Sequence, residues 1–366
     1  MDRPVTFAIV GSGWRAEFFA RLAAVMPERL ALVGAATRRP ERAEEITARW
    51  GVATYLSPTE LITRQKPDFV VSSVPWPVNP EVIATLVEAE VPVLAETPPA
   101  PDDEGLSALW DRVGSRRLVQ IAEQYLLMPA HAARHEVVRR GSIGTPTSVQ
   151  VSSTHGYHAV SMIRGLLGVG ADRPVRVAAQ RFTAPLLDPL SREGWTGAEE
   201  PADATTTLAT LDFGGASGLY DFTDNQWHNR LRQRRILVRG SLGEIADDTV
   251  VRWGGPRTVI TSEITRSQLG HDLNLDGHDT EHFVFEGEVV YRNPFVGLRL
   301  MDEEIAIATL LVATGAWVRG EGPEPYPLAD ACQDHHLSLA IDRAAESGAP
   351  VVAEVGPWAG AVSSPK

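Results

Sequence analysis

The sequence is poor in cysteine, in lysine and in positive charge. Cys332 is the only cysteine, which excludes a disulfide within the chain and a thiolate metal cluster, and we expect it to pack in a core. Lys66 and Lys366 are the only lysines. The formal net charge of −13 disfavours nucleic acid and anionic lipid as partners, because binding to either depends mainly on basic surface. A small molecule is therefore the expected partner.

The chain also lacks an uncharged apolar run long enough to cross a membrane. Its first residues lead directly into a strand-like segment at 7–10, with no signal-peptide core before it, which predicts a cytoplasmic protein. A length of 366 residues is too great for one comfortable core and predicts two domains.

Short apolar runs alternate with helical patterns over the first third of the chain. Strands are predicted at 7–10, 30–36, 69–74, 91–95 and 118–122, with helices near 15–26, 40–50, 79–89 and 103–113. This alternation predicts a doubly wound parallel sheet with right-handed crossovers, as in a Rossmann domain.

The pattern changes after Glu123. Helices are predicted at 129–140, 159–167, 302–319 and 328–347, and turn-separated strands lie between 148 and 300. Such runs of strands predict an α+β domain built on an open, mostly antiparallel sheet. We therefore assign residues 1–123 to the first domain, 124–350 to a substrate and oligomerisation domain, and 351–366 to a C-terminal tail that frays near its end.

A glycine-rich turn follows the first predicted strand. In Gly11-x-Gly13-x-x-Ala16, the first glycine makes the tight turn, the second lets a pyrophosphate approach the backbone, and the small third residue lets helix and strand pack. Trp14 and Arg15 complete this segment at the helix N-terminus, where unpaired N–H groups favour an anion. The first domain is thus predicted to bind NAD or NADP.

The end of the second strand indicates which dinucleotide is preferred. An acidic residue normally accepts the ribose hydroxyls there, but this chain has Thr37 and Arg38, followed by Arg39. Thr37 can donate a hydrogen bond and Arg38 can pair with a phosphate, so NADP is favoured and NAD stays possible. The alternative interpretation is that both arginines are solvated loop charges.

Several segments together resemble the glucose-fructose oxidoreductase/inositol dehydrogenase/MocA family. They are Gly11-Ser12-Gly13-Trp14-Arg15-Ala16, Arg39-Pro40-Glu41-Arg42-Ala43, Glu96-Thr97-Pro98, Gly141-x-Ile143-Gly144 and Gly156-Tyr157-His158. The resemblance covers nearly the whole chain. It implies a Rossmann domain, a second domain with an open sheet, a cofactor and substrate cleft between them, and homodimers or tetramers formed through the sheet face.

The chain departs from the family at the expected catalytic site. The family's Glu-Lys-Pro lysine corresponds to Thr97, its aspartate four residues before a histidine corresponds to Thr154, and only His158 is kept. The loop before His158 is also shorter than in the family. A thiazolinyl imine reductase of the same broad family resembles this chain in lacking the lysine. The function therefore stays open between oxidation or reduction of a sugar derivative, imine reduction, and a non-catalytic NAD(P)-binding sensor or assembly protein.

His158 is the first candidate for general acid and base, because histidine titrates nearest neutrality. His155 lies three residues earlier, and either residue could instead cap the helix or pack on the sheet. A metal is not expected, since His-x-x-His supplies two ligands and a catalytic zinc needs a third.

Other candidates follow strand ends. Tyr125 could donate a hydrogen bond to the substrate with Glu123 orienting it, or both could pack in a hinge. Glu96 lies at a strand end expected near the nicotinamide and is a candidate for catalysis and cofactor binding. Trp227 and His228 lie in the polar, aromatic segment 220–230, which suits a sugar-like or polar cyclic ligand, or a subunit interface.

Overall fold

The N-terminal region alternates strands and helices, as its sequence pattern predicts. The computed structural model describes residues 3–274 and 277–362, so Lys366 and the end of the assigned tail lie outside it. The elements are β1 (Val5–Val10), α1 (Trp14–Val25), β2 (Leu30–Ala36), α2 (Pro40–Trp50), β3 (Thr54–Tyr55), α3 (Pro58–Gln65), β4 (Phe69–Ser72), α4 (Asn79–Glu88), β5 (Val93–Ala95), α5 (Asp103–Val113) and β6 (Val119–Ile121).

These six strands form one parallel sheet in the order β3-β2-β1-β4-β5-β6. The order reverses at β1, as in a doubly wound Rossmann sheet, and the carboxyl ends of β1 and β4 lie side by side. Phe7 on β1 stacks on Phe69 of β4 with ring centroids 5.6 Å apart, and both are fully buried. The predicted Rossmann fold is confirmed.

The rest of the chain is built mainly on antiparallel strands. Its elements are α6 (Pro129–Arg139), β7 (Pro146–Ser152), α7 (Gly156–Leu167), β8 (Val175–Leu186), β9 (Leu190–Ser191), β10 (Gly194–Trp195), β11 (Ala202–Asp212), β12 (Ser217–Thr223), β13 (Arg235–Gly240), β14 (Gly243–Ala246), β15 (Thr249–Gly255), β16 (Thr258–Glu263), β17 (Thr265–Leu269), β18 (Asp279–Phe285), β19 (Glu288–Arg292), α8 (Asp302–Val318), α9 (Leu328–Ser347) and β20 (Val351–Ala353).

Nine of these strands form a mixed sheet in the order β16-β15-β14-β13-β7-β12-β11-β8-β20. Only β7 and β12 pair in parallel within it; the other neighbours are antiparallel. Helix α7 packs on this sheet at Gly218 of β12, where a Cβ would lie 2.7 Å from the side chain of Ile163. The predicted α+β fold with a mostly antiparallel sheet is confirmed.

The chain divides into two compact units that are discontinuous in sequence. One contains Met1–Met128, Leu269–Thr280 and Pro294–Cys332, and the other contains Pro129–Gln268, Glu281–Asn293 and Gln333–Lys366. Helix α8 therefore belongs to the Rossmann unit, and its Gly315 lies against β1, where a Cβ would be 2.4 Å from a methyl group of Val5. The domains assigned from the sequence are continuous and place α8 in the second domain. The sequence gives no local sign that α8 packs on β1.

The start of the assigned tail is packed into the second unit. Val351 of β20 pairs with Val177 of β8, and Trp358 is 1% exposed, with its Nε1–H donating to Oε1 of Gln333 over 2.9 Å. The prediction that the tail frays near its end is thus wrong for Trp358, because a large aromatic ring is buried there.

Two local predictions also differ from the structure. Helix α3 was missed, although Ser57 and Pro58 mark its start and the Ser57 hydroxyl accepts the Glu60 N–H. Helix α7 begins at Gly156 instead of 159, because Gly156 adopts φ +46° and lets the chain turn into the helix early. His155 is consequently the N-cap, and His158 lies within the first turn.

Among residues 3–274 and 277–362, none of the helices combines the length and apolar character needed to cross a bilayer.

Candidate functional site

The glycine-rich turn joins β1 to α1 at the carboxyl edge of the Rossmann sheet. Gly11 has φ +131°, and a Cβ there would lie 1.9 Å from the carbonyl oxygen of Ser73. Its N–H donates to the Ala36 carbonyl over 2.9 Å. Only glycine meets both the backbone conformation and the close contact, as the sequence motif predicts.

Gly13 and Ala16 meet the other two requirements of the motif. A Cβ at Gly13 would meet no atom of the described residues within 4 Å, so the backbone is accessible there. Gly13 occupies the N-cap position of α1, and because it has no side chain it makes no capping hydrogen bond to the first N–H groups of the helix. Ala16 is fully buried, so helix and strand pack closely. The turn therefore fits a dinucleotide pyrophosphate, which backbone N–H groups and the helix dipole would hold.

Arg15 does not direct an unpaired charge toward this turn. Its Nε donates to Glu96 Oε1 over 3.1 Å and its Nη1 donates to Glu303 Oε1 over 2.6 Å. Burial opposes the charge of Arg15, but the two carboxylates more than offset it and raise the guanidinium pKa. Trp14 and Phe18 lie against the guanidinium at 5.2 Å. The arginine thus joins α1, the end of β5 and the first turn of α8.

The end of β2 carries the residues predicted to select the dinucleotide. Thr37 is half-buried and its hydroxyl accepts the Arg39 N–H at 3.5 Å, while the Arg38 side chain is exposed. The sequence interpretation missed Arg42, whose Nη2 donates to the Ser12 carbonyl over 3.1 Å. Arg42 therefore fixes the glycine-rich turn from α2, and its position in the first turn after Pro40 was the available signal.

The loop after β5 is held by a buried asparagine. Asn79, at the start of α4, donates to the Glu96 carbonyl over 3.1 Å and accepts the Ser72 hydroxyl over 2.8 Å. This positions half-buried Thr97 at the strand end. After β6, the Glu123 carboxylate accepts the Tyr125 N–H over 3.1 Å, so Glu123 orients the Tyr125 backbone.

The second unit gathers aromatic and imidazole rings where β7 runs into α7. The His155 ring stacks on Trp227, with centroids 4.9 Å apart and planes inclined by 14°. His158 lies edge-on to His155 at 5.2 Å and 4.5 Å from the Tyr157 ring. His228 follows with its ring 6.1 Å from that of Trp227. The structure thus brings together the candidates that the sequence placed 70 residues apart.

Burial distinguishes the two histidines. It lowers the pKa of His155 to about 3, with a smaller effect from the neighbouring His158. His155 is therefore neutral near pH 7 and serves as the N-cap and stacking partner of Trp227. Ser153 and Thr154, which link β7 to His155, each bury a hydroxyl oxygen that has no hydrogen-bond partner among the described residues. Such atoms are costly and commonly mark functional segments.

Several neighbours of this cluster were not predicted. His335 of α9 lies edge-on to Tyr157 at 5.5 Å, and Arg164 of α7 donates to Asp334 over 2.5 Å in an ion pair that is almost fully buried. The Tyr220 hydroxyl accepts the Gly156 N–H over 3.1 Å. The Tyr157 and Gly156 contacts fix the first turn of α7, which carries His158, and the Arg164 ion pair fixes its last turn. They join residues far apart in sequence, so no local pattern revealed them.

Two side-chain amides of the segment 220–230, those of Gln226 and Asn229, hydrogen-bond to backbone carbonyls and hold the segment in place. Gln226 Nε2 donates to the carbonyls of Ser152 and Gln233, both at 3.0 Å, and Asn229 Nδ2 donates to the Leu187 carbonyl over 2.9 Å. Both side chains are buried. They tie the segment to β7 and to the loop before β9, and leave Trp227 and His228 half-buried.

No three histidine, cysteine or acidic side chains of residues 3–274 and 277–362 are grouped so that they could hold a metal ion.

The sheet order and the glycine-rich turn are those of a Rossmann domain. The Gfo/Idh/MocA model, described as an oxidoreductase family with an NAD-binding Rossmann fold, matches residues 5–123. The match supports, over residues 5–123, the family resemblance seen in the sequence.

Solved structures share the fold along nearly the whole chain. An oxidoreductase from Agrobacterium radiobacter, in complex with NAD+, L-tartaric acid and magnesium, is 14% identical, with a TM-score of 0.68, covering 95% of this chain and 98% of that chain. A levoglucosan dehydrogenase in complex with NADH and levoglucosan is 19% identical, with a TM-score of 0.68 and coverages of 96% and 100%.

A myo-inositol dehydrogenase from Corynebacterium glutamicum is 17% identical, with a TM-score of 0.64 and coverages of 95% and 98%. At these identities the likeness establishes the fold alone. No curated protein matches the sequence significantly.

Proposed function

We propose that the protein is an NAD(P)-dependent oxidoreductase that transfers hydride to or from a polar small molecule, such as a sugar derivative. The observation that carries the proposal is the Gly11 turn, whose conformation and close contact with Ser73 fit a dinucleotide, within a domain that matches an NAD-binding oxidoreductase family. The inositol and levoglucosan dehydrogenases of the same fold support a sugar-like substrate.

The Rossmann unit provides the cofactor residues in this proposal. The bound nicotinamide would supply or accept the hydride. The Gly11 N–H is bonded to the Ala36 carbonyl, so the backbone N–H groups of the turn beyond Gly11, up to Ala16, would hold the pyrophosphate, and Trp14 and Arg15 shape the helix start. Glu96 holds Arg15 at the end of β5. Thr37 and Arg38 bind the adenosine ribose end and favour NADP, because no carboxylate repels a 2′-phosphate there.

Proton transfer is assigned to the second unit. His158 is proposed as the general acid and base, because His155 beside it is held neutral by burial. Thr154, His155, Trp227 and His228 contact the substrate in this proposal. Tyr125 and Glu96 are further candidates for catalysis, and Thr97 and Glu123 complete the set of substrate residues.

Imine reduction is the second candidate function. Thr97 is half-buried at the strand end where the family resemblance implies a lysine, and the nearby Arg15 is engaged by two carboxylates. An alcohol dehydrogenase needs a base for the carbinol proton, whereas an imine needs only a proton donor once hydride reaches carbon. A protein without catalysis, a sensor or assembly partner, would bind the dinucleotide and turn over no member of a substrate panel.

We further propose a cytoplasmic homodimer or tetramer formed through the C-terminal sheet.

NADPH is expected to bind more tightly than NADH in a nicotinamide fluorescence titration. Arg38→Ala should remove this preference at a cost of about 1 to 3 kcal/mol in NADPH binding, because one charge-assisted contact is lost. Arg39→Ala is the matched control, since Arg39 is the adjacent exposed arginine and should leave the preference intact. Equal affinities of the parent protein for both dinucleotides would contradict the proposed preference.

Thr97→Lys is expected to lose activity toward the true substrate and gain none toward simple polyols. The ammonium would be partly desolvated at a strand end that Asn79 holds in place, and it would disturb a pocket shaped without it. Thr97→Val, with the same volume and no charge, serves as the control. A clear gain in NADP-linked inositol or glucose oxidation by Thr97→Lys would instead indicate simple loss of the family lysine.

A further inference from the structure

A dense arginine run follows the Trp227 segment in a chain of net charge −13. Arg230, Arg232, Arg234 and Arg235 fall within six residues, and all four are exposed. Arg235 pairs with Asp221 over 3.3 Å, whereas Arg230, Arg232 and Arg234 form no ion pair with any described residue. Arg232 donates to the Leu231 carbonyl over 3.3 Å. Three uncompensated cations therefore follow one another closely in sequence on an otherwise acidic protein.

The arginine run adjoins the ring cluster that contains His158. Arg235 at the start of β13 is the register partner of Ser152 at the end of β7, so the arginine run reaches the sheet next to the end of β7. Gln226 bridges the two segments, since its amide donates to the carbonyls of Ser152 and Gln233. Trp227, the next residue, stacks on His155.

Arg234 immediately precedes β13, and Arg235 is the first residue of that strand. Tyr220 and Phe222 of β12 contact Gly156 and His155, so the intervening Asp221 projects from the opposite face, and Arg235 pairs with it there. Arg234 lies outside the ladder, is exposed and has no carboxylate partner among the described residues.

A buried histidine indicates where the Arg234 charge lies. His131 of α6 has its pKa lowered to about 3, first by burial and then by the charges of Arg134 and Arg234. The Arg134 charge is itself compensated by Asp248, to which it donates over 2.7 Å. The Arg234 charge therefore lies near α6, the helix that packs against α7.

We propose that Arg230 and Arg234 bind an anionic group of the substrate, a phosphate or a carboxylate, so that the substrate is an acidic sugar derivative or a similar small anion. This inference rests on the proposed function. Of the nearby carboxylates, Asp221 is paired with Arg235. Asp188 accepts the Asn225 amide at 2.7 and 2.8 Å, and Asp224 accepts the Thr205 N–H over 3.2 Å, so neither forms an ion pair with Arg230 or Arg234.

A small molecule fits this surface better than a protein partner does. The two arginines adjoin half-buried Trp227 and His228, whose rings could cover the C–H surface of a compact ligand. Arginine offers a planar set of donors that matches phosphate and carboxylate oxygens.

Binding of inorganic phosphate, glucose 6-phosphate, glucuronate and neutral glucose to the full-length protein can be measured by isothermal titration calorimetry. The wild type should bind at least one anionic probe, and Arg234→Gln should weaken that binding tenfold or more, through loss of one charge-assisted contact. Arg235→Gln is the matched control, because it removes the same charge from the sheet face opposite His155 and should leave the dissociation constant unchanged. Glucose binding should be the same in all three proteins.

The phosphate and glucuronate arms distinguish the two anion chemistries. Phosphate can also bind at the glycine-rich turn, but that contribution is common to the three proteins and cancels in the comparison. Equal anion binding by all three, or no anion binding by the wild type, would overturn the inference, and the second result would leave the surface to an acidic protein partner.

Nicotinamide fluorescence on the same samples separates this inference from the proposed function. If NADPH binds and the anion affinities are equal, the anion site alone fails. If NADPH does not bind while the anion affinity depends on Arg234, the oxidoreductase proposal fails and the anion site stands.

Discussion

Gly11→Ala is expected to destabilise the protein by about 3 kcal/mol or more. The new methyl group would lie 1.9 Å from the Ser73 carbonyl oxygen, and φ +131° is rarely adopted by residues with a Cβ. Backbone of both β1 and the segment after β4 must move to relieve the contact, because neither atom belongs to a flexible side chain. Urea denaturation measures the loss as a change in the free energy of unfolding.

Gly13→Ala is the matched control for this substitution. Gly13 has φ −81°, which alanine adopts readily, and its Cβ would meet no described atom within 4 Å. Its stability should stay within about 1 kcal/mol of the wild type, whereas NADPH affinity should fall at least tenfold, because the methyl group occupies the approach of the pyrophosphate. Wild-type stability of Gly11→Ala, or wild-type NADPH affinity of Gly13→Ala, would contradict this description of the turn.

His158→Ala should lower kcat by about 10² to 10⁴, the range for loss of a general acid and base, and leave NADPH affinity nearly unchanged. Since His158 is 7% exposed, His158→Gln serves as a second variant that fills more of the space. Steady-state kinetics on the best substrate of the panel, together with the fluorescence titration, measures both quantities.

His155→Ala provides the comparison, and its effect on kcat should be smaller. The pKa of His155 is lowered to about 3 by burial, so this ring is already neutral well below pH 6 and adds no ionisation near neutrality. If kcat of the wild type changes with pH near neutrality, kcat of His155→Ala should therefore show the same change. Wild-type turnover in both His158 variants would transfer the chemistry to Tyr125 or another donor.

The Rossmann half could be predicted because its signals are local. Apolar runs of four to seven residues mark the buried strands, and Asp102, which follows a segment rich in proline, caps α5 by accepting the Gly105 N–H. The two-residue strand β3 was missed, since Thr54 and Tyr55 are too few to show a period. The start of α7 was placed too late, because the apolar pattern begins only after His158.

The candidate site was less predictable, since its chemistry depends on contacts between distant residues. Motif spacing predicted the roles of Gly11 and Gly13. Nothing local indicates that Arg15 is held by Glu303, 288 positions away, or that His155 stacks on Trp227. The roles of His158, Tyr125 and Glu96 stay predictions, because each depends on a bound substrate.

The chain leaves the Rossmann unit after Met128 and returns to it with α8, and this has a consequence for folding during synthesis. Gly315 lies against Val5, and Glu303 holds Arg15, so the Rossmann unit is completed by residues made long after β1 and α1. While the ribosome translates residues 11–301, the β1 surface that α8 covers stays without its partner. Residues 5–123, which match the family model, are therefore only part of the Rossmann unit. The complete unit also needs α8 to fold.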